Sequence, residues 1–281
     1  MSYFRLLGLE KEPFSTSPDP AFFYESASHK AALLRLMIAI KLKRGLSLIL
    51  GDVGVGKTTL SRKLFQLLKG EEKISSHLIL NPIYQSESEF QSALLKQFGI
   101  PCDSCSLPVA EAMERIERYL FEKAVEEGET ILLLIDEAQR LTPSSLELLR
   151  TLLNYETNEY KLLQLILMGQ MELLPLVRRM KNFWDRISLR YVINPFDEEE
   201  TRQMISFRLQ KAGYTGSTDL FTKEAIHEIY HFTQGYPRRI TTLCHDALEQ
   251  LVMLGKDVVD EAIMHRLIKE ESRLVSQNVP D

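Results

Sequence analysis

Short apolar runs alternate with amphipathic stretches along the first two thirds of the chain, and then the alternation stops. Leu46–Leu50, Ile131–Ile135 and Leu162–Met168 are apolar throughout or nearly so, the pattern of strands buried on both faces of a parallel sheet. His77–Asn81 and Ile187–Ile193 are shorter or more mixed strand candidates. Between them lie segments with apolar positions three and four apart: Lys30–Lys43, Thr58–Lys69, Glu87–Phe98, Val109–Glu127, Ser144–Asn154 and Leu173–Arg179. That spacing places the apolar residues on one helix face, as Leu60, Leu64, Leu67 and Leu68 are placed in the second of these. Lys41, Lys43 and Arg44 suit the C-terminal end of the first helix, and Gly45 stops it. Strand and helix in alternation predict an α/β doubly wound fold, a parallel sheet sandwiched by helices.

After Pro195 no strand pattern remains. Glu198–Lys211, Lys223–Gln234, Pro237–Leu254 and Val258–Glu271 all read as helices, with Gly213, Gly235 and Gly255 between them and Thr222 as an N-cap. Asp197–Glu200 supplies the acidic first turn of one of them. Residues 1–28 carry Pro13, Pro18 and Pro20, which block a long helix. Phe14, Phe22, Phe23 and Tyr24 give that segment something to pack. The expected division is an α/β domain over 1–195, including the irregular 1–28, and a small all-helical domain over 196–281.

Composition narrows the function classes. With 281 residues the chain makes one or two ordinary domains. Its 34 Lys and Arg against 39 Asp and Glu leave a net charge of −5, which argues against a basic nucleic-acid coat. Three cysteines are too few for a disulfide scaffold. Cys102 and Cys105 form a C-x-x-C without a second pair or a nearby histidine pair, so they read as loop cysteines rather than zinc ligands. The histidines are scattered; His227 and His231 are four apart, with no H-E-x-x-H around them. No apolar run approaches the ~20 residues of a membrane span. Met1–Glu12 has no long apolar stretch or cleavage site, so a cytoplasmic protein is expected.

The strongest chemical signal is Gly51-Asp52-Val53-Gly54-Val55-Gly56-Lys57-Thr58, a full G-x-x-x-x-G-K-[ST] between a strand and a helix. Glycines let the backbone approach phosphate oxygens, and successive N–H groups form an anion nest at the helix N-terminus. Lys57 is expected to reach the β- and γ-phosphates of ATP, Thr58 to place its hydroxyl on Mg²⁺, and Thr59 to complete the nucleotide-binding turn. The apolar run at 131–135 ends in Asp136-Glu137. This strand is expected to lie beside the phosphate loop, with Asp136 in the Mg²⁺ shell and Glu137 orienting and polarising the attacking water.

Taken together, these residues resemble an AAA+ ATPase, and more narrowly the ExeA-type family, that of general secretion pathway protein A, with the related TnsC-type transposition ATPases. The resemblance runs nearly end to end. It is carried by Gly8-Leu9, Pro13-Phe14, Pro18-Asp19-Pro20 and Phe23-Tyr24, by Asp136-Glu137-Ala138-Gln139-Arg140-Leu141, by Met168-Gly169-Gln170-Met171-Glu172-Leu173, and by Gly235-Tyr236-Pro237-Arg238-Arg239-Ile240 through Leu243-Cys244. It implies a sensor role for Gln170 at the γ-phosphate or the water. Arg238, with Arg239 as its competitor, matches the arginine that reports nucleotide state by moving the lid. Arg186, with Arg190 as the alternative, matches the arginine finger that enters a neighbouring subunit's site, which would make the active species a homo-oligomer. The family pattern places the N-terminal aromatics near the adenine; as bare sequence they read equally well as packing.

The resemblance further implies hydrolysis of ATP to ADP and phosphate on behalf of another protein assembly, of secretion or envelope-assembly type. Two alternatives remain at this point. One is an ATP-dependent DNA-binding regulator of a transposase, for which Arg178, Arg179, Lys181, Arg186 and Arg190 are the one basic concentration. The other is a nucleotide switch without turnover. Larger members of the family carry a membrane span and a periplasmic domain after this module. Because the present sequence stops at Asp281, any envelope partner is expected to be reached through another protein.

Overall fold

The computed structural model describes residues 2–16, 19–69, 71, 73–101, 107–216 and 219–277. Its elements run α1 (Tyr3–Leu6), a 3₁₀ turn (Pro20–Phe22), α2 (Ala27–Lys41), β1 (Leu46–Leu50), α3 (Lys57–Leu68), β2 (Ile74–Ile79), α4 (Glu87–Phe98), α5 (Val109–Phe121), a π-helical turn (Glu122–Glu126) and β3 (Thr130–Ile135). They continue with a 3₁₀ turn (Ala138–Arg140), α6 (Pro143–Leu152), β4 (Leu163–Gly169), α7 (Leu173–Arg179), α8 (Lys181–Trp184) and β5 (Ile187–Val192). The last four are α9 (Glu198–Lys211), α10 (Lys223–Thr233), α11 (Pro237–Leu254) and α12 (Glu261–Gln277). The expected alternation is therefore present, with small corrections. The helix expected over Val109–Glu127 loosens into a π turn at Glu122–Glu126, and a short α8 was not foreseen.

Two compact units divide the chain. One comprises Ala27–Val53 and Leu60–Ile193; the other comprises Met1–Ser26, Gly54–Thr59 and Asn194–Asp281. The first unit is built on a parallel five-stranded sheet of order β2-β3-β4-β1-β5. β1 and β4 are buried at every position, which is why their sequences show no alternation. The expectation that β3 lies beside the strand of the phosphate loop is corrected here: β4 sits between β3 and β1. Apolar strands of equal hydrophobicity fit any interior place in a sheet, so their order cannot be read from their composition. On one face Leu46, Leu48, Leu133, Ile135 and Leu165 pack with Phe90, Leu94, Ile116, Leu120 and Leu149 from α4, α5 and α6. The other face is buried too, with α2 against β1 and β5. The polar Gln164 is tolerated inside β4 because its amide is satisfied at both ends: Gly45 N–H donates to Oε1 (2.8 Å) and Nε2 donates to the Lys161 carbonyl (2.8 Å).

The second unit has a separate core, with Phe14, Phe196, Ile205, Phe221, Ile229, Ile240, Leu248 and Met264 among its members. Caps mark its helices. Asp197 and Glu200 form a reciprocal capping box at α9, Thr222 caps α10, and Gly255 closes α11 in the left-handed region. Residues up to Ser26 pack within this unit. The physical reason is local packing. The Phe14 ring meets Phe221 edge-on, Glu10 N–H donates to the Ala212 carbonyl (2.8 Å), and the Tyr24 hydroxyl donates to Gln203 (2.6 Å). The buried Arg208 guanidinium donates to the Ser15 carbonyl (2.9 Å) and to Thr241 (2.7 Å), between the rings of Phe14 and Phe22.

Candidate functional site

The phosphate-loop sequence leaves the sheet from the end of β1. Register ties this point to β4: Leu50 pairs with Gly169, and Gly51 N–H donates to the Gly169 carbonyl (3.2 Å). The loop turns through Gly54 at φ +84° and Gly56 at φ +99°, values that side chains with a Cβ rarely adopt. α3 starts at Lys57, which is buried, and its first turn carries no acidic residue to offset the positive end of the helix dipole. Thr58 and Thr59 follow in that first turn; Asp52 and Val53 are exposed, and Val55 is fully buried. Gly54 is also crowded from outside the loop. Arg238 N–H donates to its carbonyl (3.2 Å), and a Cβ on Gly54 would stand 3.0 Å from the Arg238 Cβ.

The acidic pair sits at the carboxyl edge of the sheet, the edge at which open α/β sheets bind ligands. Asp136 is buried; its N–H donates to the Ile79 carbonyl (2.8 Å), and its Oδ1 accepts from Glu137 N–H (2.9 Å). Glu137 adopts φ +53°, ψ +36°, a left-handed conformation uncommon outside glycine and concentrated at functional sites. Its carboxylate accepts from Gln139 Nε2 (2.7 Å), and Gln139 Oε1 in turn accepts from Gln170 N–H (3.0 Å). The sheet unit thus brings Asp136, Glu137 and Gln170 together. It adds Gln139, which was quoted in the sequence only as part of a family signature and given no role.

The arginines are engaged very differently from one another. Arg186, between α8 and β5, donates to the Asn182 carbonyl (2.9 Å) and to Asn154 Oδ1 (2.5 Å). Arg190 lies over the Trp184 ring at 4.0 Å and donates to the Trp184 carbonyl. Arg178 also meets Trp184, at 5.3 Å, so two members of the basic concentration are stacked on one indole. Arg239 donates to the Phe232 carbonyl (3.0 Å) and lies over its ring, which closes the end of α10. Arg238 is exposed, and its guanidinium makes no hydrogen bond or ion pair among the described residues. Of this adjacent pair, Arg239 is therefore occupied in holding the fold.

The discounted residues stay apart from this chemistry. Cys102 and Cys105 lie outside the described residues. Cys244 is wholly buried in the helical unit, and burial pushes its thiol pKa up, which suppresses thiolate reactivity. His227 meets His231 edge-on and pairs with Glu198 at an exposed site.

Comparison with known proteins agrees with this geometry. Residues 40–177 match the AAA domain family. The chain is 36% identical over 248 residues to general secretion pathway protein A of Aeromonas hydrophila, across 88% of this chain and 44% of that protein. Among solved structures it is similar to Cdc6p from Pyrobaculum aerophilum, with a TM-score of 0.65 and 17% identity over 88% of this chain and 67% of that one. It is likewise similar to Drosophila ORC bound to DNA, with a TM-score of 0.65 and 18% identity over 94% of this chain and 65% of that one. The chain spans less than half the length of the secretion protein it matches.

Proposed function

From the AAA domain this chain carries, set in a P-loop AAA+ fold, we propose that it is a Mg²⁺-dependent ATPase hydrolysing ATP to ADP and phosphate. The observation that carries this reading is Glu137 at the sheet edge, next to buried Asp136 and fixed through Gln139 to the backbone of Gln170. A chain that only bound nucleotide would have no use for an oriented carboxylate there. The residues suit a triphosphate. Gly54 and Gly56 take positive φ, the α3 N-terminus favours anions, and Lys57 supplies the compensating charge. Thr58 and Asp136, a hydroxyl and a carboxylate, are the oxygen ligands assigned to Mg²⁺, which when bound neutralises charge on the β- and γ-phosphates.

In this reading Glu137 accepts a proton from the attacking water and Gln170 contacts the γ-phosphate or that water. Arg238, rather than Arg239, senses the nucleotide, a choice supported by the bonds that Arg239 makes to the Phe232 and Thr233 carbonyls. Arg186 acts in a neighbouring copy, where a cation stabilises charge developing on the transferred phosphoryl group. The working form is then a homo-oligomer. Likeness to general secretion pathway protein A supports a role in secretion, and the assigned work is on another protein assembly. Among the described residues no helix is long and apolar enough to cross a membrane.

The deciding experiment compares wild type with Lys57→Ala and Glu137→Gln. Lys57→Ala should lose nucleotide binding. Glu137→Gln should bind ATP with wild-type affinity while phosphate release falls at least about 100-fold. Equal turnover in wild type and Glu137→Gln removes the assigned mechanism.

A second reading, an ATP-dependent DNA-binding regulator, draws on exposed Arg178, Arg179 and Lys181 and on the likeness to Drosophila ORC bound to DNA. It predicts duplex binding by the ATP-trapped Glu137→Gln protein that weakens steeply with salt. Absence of binding at low salt excludes it.

A further inference from the structure

Gln139 uses both ends of its amide, and the two partners leave no freedom in how it is oriented. A carboxylate accepts hydrogen bonds and a backbone N–H donates them. The contact to Glu137 Oε2 (2.7 Å) must therefore come from the amide nitrogen, and the contact from Gln170 N–H (3.0 Å) must end on the amide oxygen. Turning the amide over would set oxygen against carboxylate and N–H against N–H at once.

The surroundings hold this arrangement closely. Gln139 lies on the turn Ala138–Arg140, whose Ala138 is fully buried and whose far end is tied by Arg140 to Asn81 Oδ1 (3.0 Å). The end of β4 approaches so near that a Cβ on Gly169 would stand 3.2 Å from Gln139 Oε1 and 3.3 Å from its backbone nitrogen. Glu137 meanwhile has its N–H bound to Asp136 and its backbone in the left-handed region. Its carboxylate direction is thus set by one neutral donor that is itself fastened to the loop carrying Gln170.

On the reading of Glu137 as the base and Gln170 as the phosphate sensor, we propose that Gln139 is a positioning residue that links them. A displacement of the Gln170 backbone is transmitted through the amide to the Glu137 carboxylate. The base is aimed at the water only when the loop after β4 is in its ligand-bound place. Gln139 touches neither nucleotide nor water in this scheme, so its loss should lower the rate of the chemical step and leave ATP affinity alone.

The test uses the full chain with Gln139→Met, which keeps length and removes both bonds, and Gln139→Glu, which keeps an acceptor for Gln170 N–H and removes the donor to Glu137. Steady-state ATP hydrolysis, equilibrium binding of a fluorescent ATP analogue and thermal melting are measured on each. Both variants should lose about tenfold in kcat, with KM and analogue Kd within about twofold of wild type. Gln139→Met combined with Gln170→Ala should lose less than the product of the single losses, because the two act along one connection. A kcat within twofold of wild type in both variants, a KM that rises in step with the loss, or strictly multiplicative losses overturns the proposal. If Gln139→Met fails to melt cooperatively, the shape-preserving Gln139→Glu decides. A wild type without turnover removes the hydrolysis reading and this proposal together, whereas an active wild type indifferent to residue 139 removes the proposal alone.

Discussion

The sheet unit and the helical unit solve the same packing problem with different bonds. In the sheet unit, order comes from the main chain. Four parallel pairings fix β1 to β5, and backbone donors tie their ends: Gly51 N–H to the Gly169 carbonyl, Asp136 N–H to the Ile79 carbonyl, and Gln170 N–H to the Gln139 side-chain amide oxygen. In the helical unit, helices satisfy their own backbones, and isolated side-chain bonds, beside a few single main-chain bonds such as Glu10 N–H to the Ala212 carbonyl, hold the segments to one another. Arg208 reaches Ser15 and Thr241, the Tyr3 hydroxyl meets His245 (2.9 Å), and Tyr24 reaches Gln203. A ladder shares its load over many bonds, whereas each of these ties is single. Asp136 and Glu137 sit at the end of the first kind of support, with the Glu137 carboxylate itself resting on the Gln139 side chain. Arg238, assigned to sense nucleotide and move, sits on the second.

Four substitutions sharpen or break this contrast. The largest effect is expected at Gly235, where Phe196 N–H donates to the Gly235 carbonyl and φ is +73°. A Cβ there would overlap the Phe196 carbonyl oxygen. Gly235→Ala should cost about 3 kcal/mol or more of helical-unit stability in urea unfolding. A loss below 1 kcal/mol would show that this turn relaxes freely.

Arg208→Met should cost about 2 kcal/mol, because Ser15 and Thr241 lose a donor in a buried place and two rings lose their cation. Desolvation already lowers the Arg208 pKa to about 10, so the guanidinium stays charged at neutral pH and the loss should be flat from pH 6 to 8. Gln91→Met is the opposite test in the sheet unit. Gln91 is buried, and neither end of its amide has a partner among the described residues. Replacing it with an apolar side chain of similar length should stabilise by about 1 kcal/mol. A destabilised Gln91→Met would mean that the Gln91 amide, like those of Gln139 and Gln164, makes a tie on which the sheet unit relies.

The smallest effect is a pH dependence at His77 on β2. Burial lowers its pKa below the usual 6.5, partly opposed by the Nδ1–H bond to the Gln97 carbonyl and by Glu129. The folded state therefore favours neutral imidazole. Its contribution is complete above about pH 6.5 and is lost as pH falls through the lowered folded value. Wild type should lose stability relative to His77→Gln on going from pH 7.5 to pH 5, as read by denaturation midpoints. Parallel midpoints for the two proteins would remove the effect.

Much of the fold was legible because burial leaves a period in the sequence. Leu46–Leu50, Glu87–Phe98, Leu173–Arg179, Glu198–Lys211 and Pro237–Leu254 end where apolar periodicity and glycine or proline punctuation say they should. β2 was misplaced by three residues, since Ser75, Ser76 and His77 on an edge strand are half-buried and lack an apolar run. The last helix starts at Glu261 instead of Val258 because Val259 bridges to Phe221, a pairing between residues far apart in the chain. The phosphate loop and Asp136-Glu137 are local patterns and could be named at sight. The partners of Gln139 and of Arg239 lie elsewhere in the chain and could not be read from the local pattern.

By itself, then, the sequence determined what depends on neighbours along the chain: element type, the change from alternating strands and helices to helices alone near Pro195, the G-x-x-x-x-G-K-[ST] turn between strand and helix, and the acidic strand end. Tertiary structure decided the rest. It placed β4 between β1 and β3, packed the N-terminal segment with the helices, committed Arg239 to the end of α10, and set Gln139 between Glu137 and Gln170. The physical reason is that periodicity records whether a side chain is buried, whereas hydrogen-bond partnership and strand order are properties of pairs brought together from distant parts of the chain.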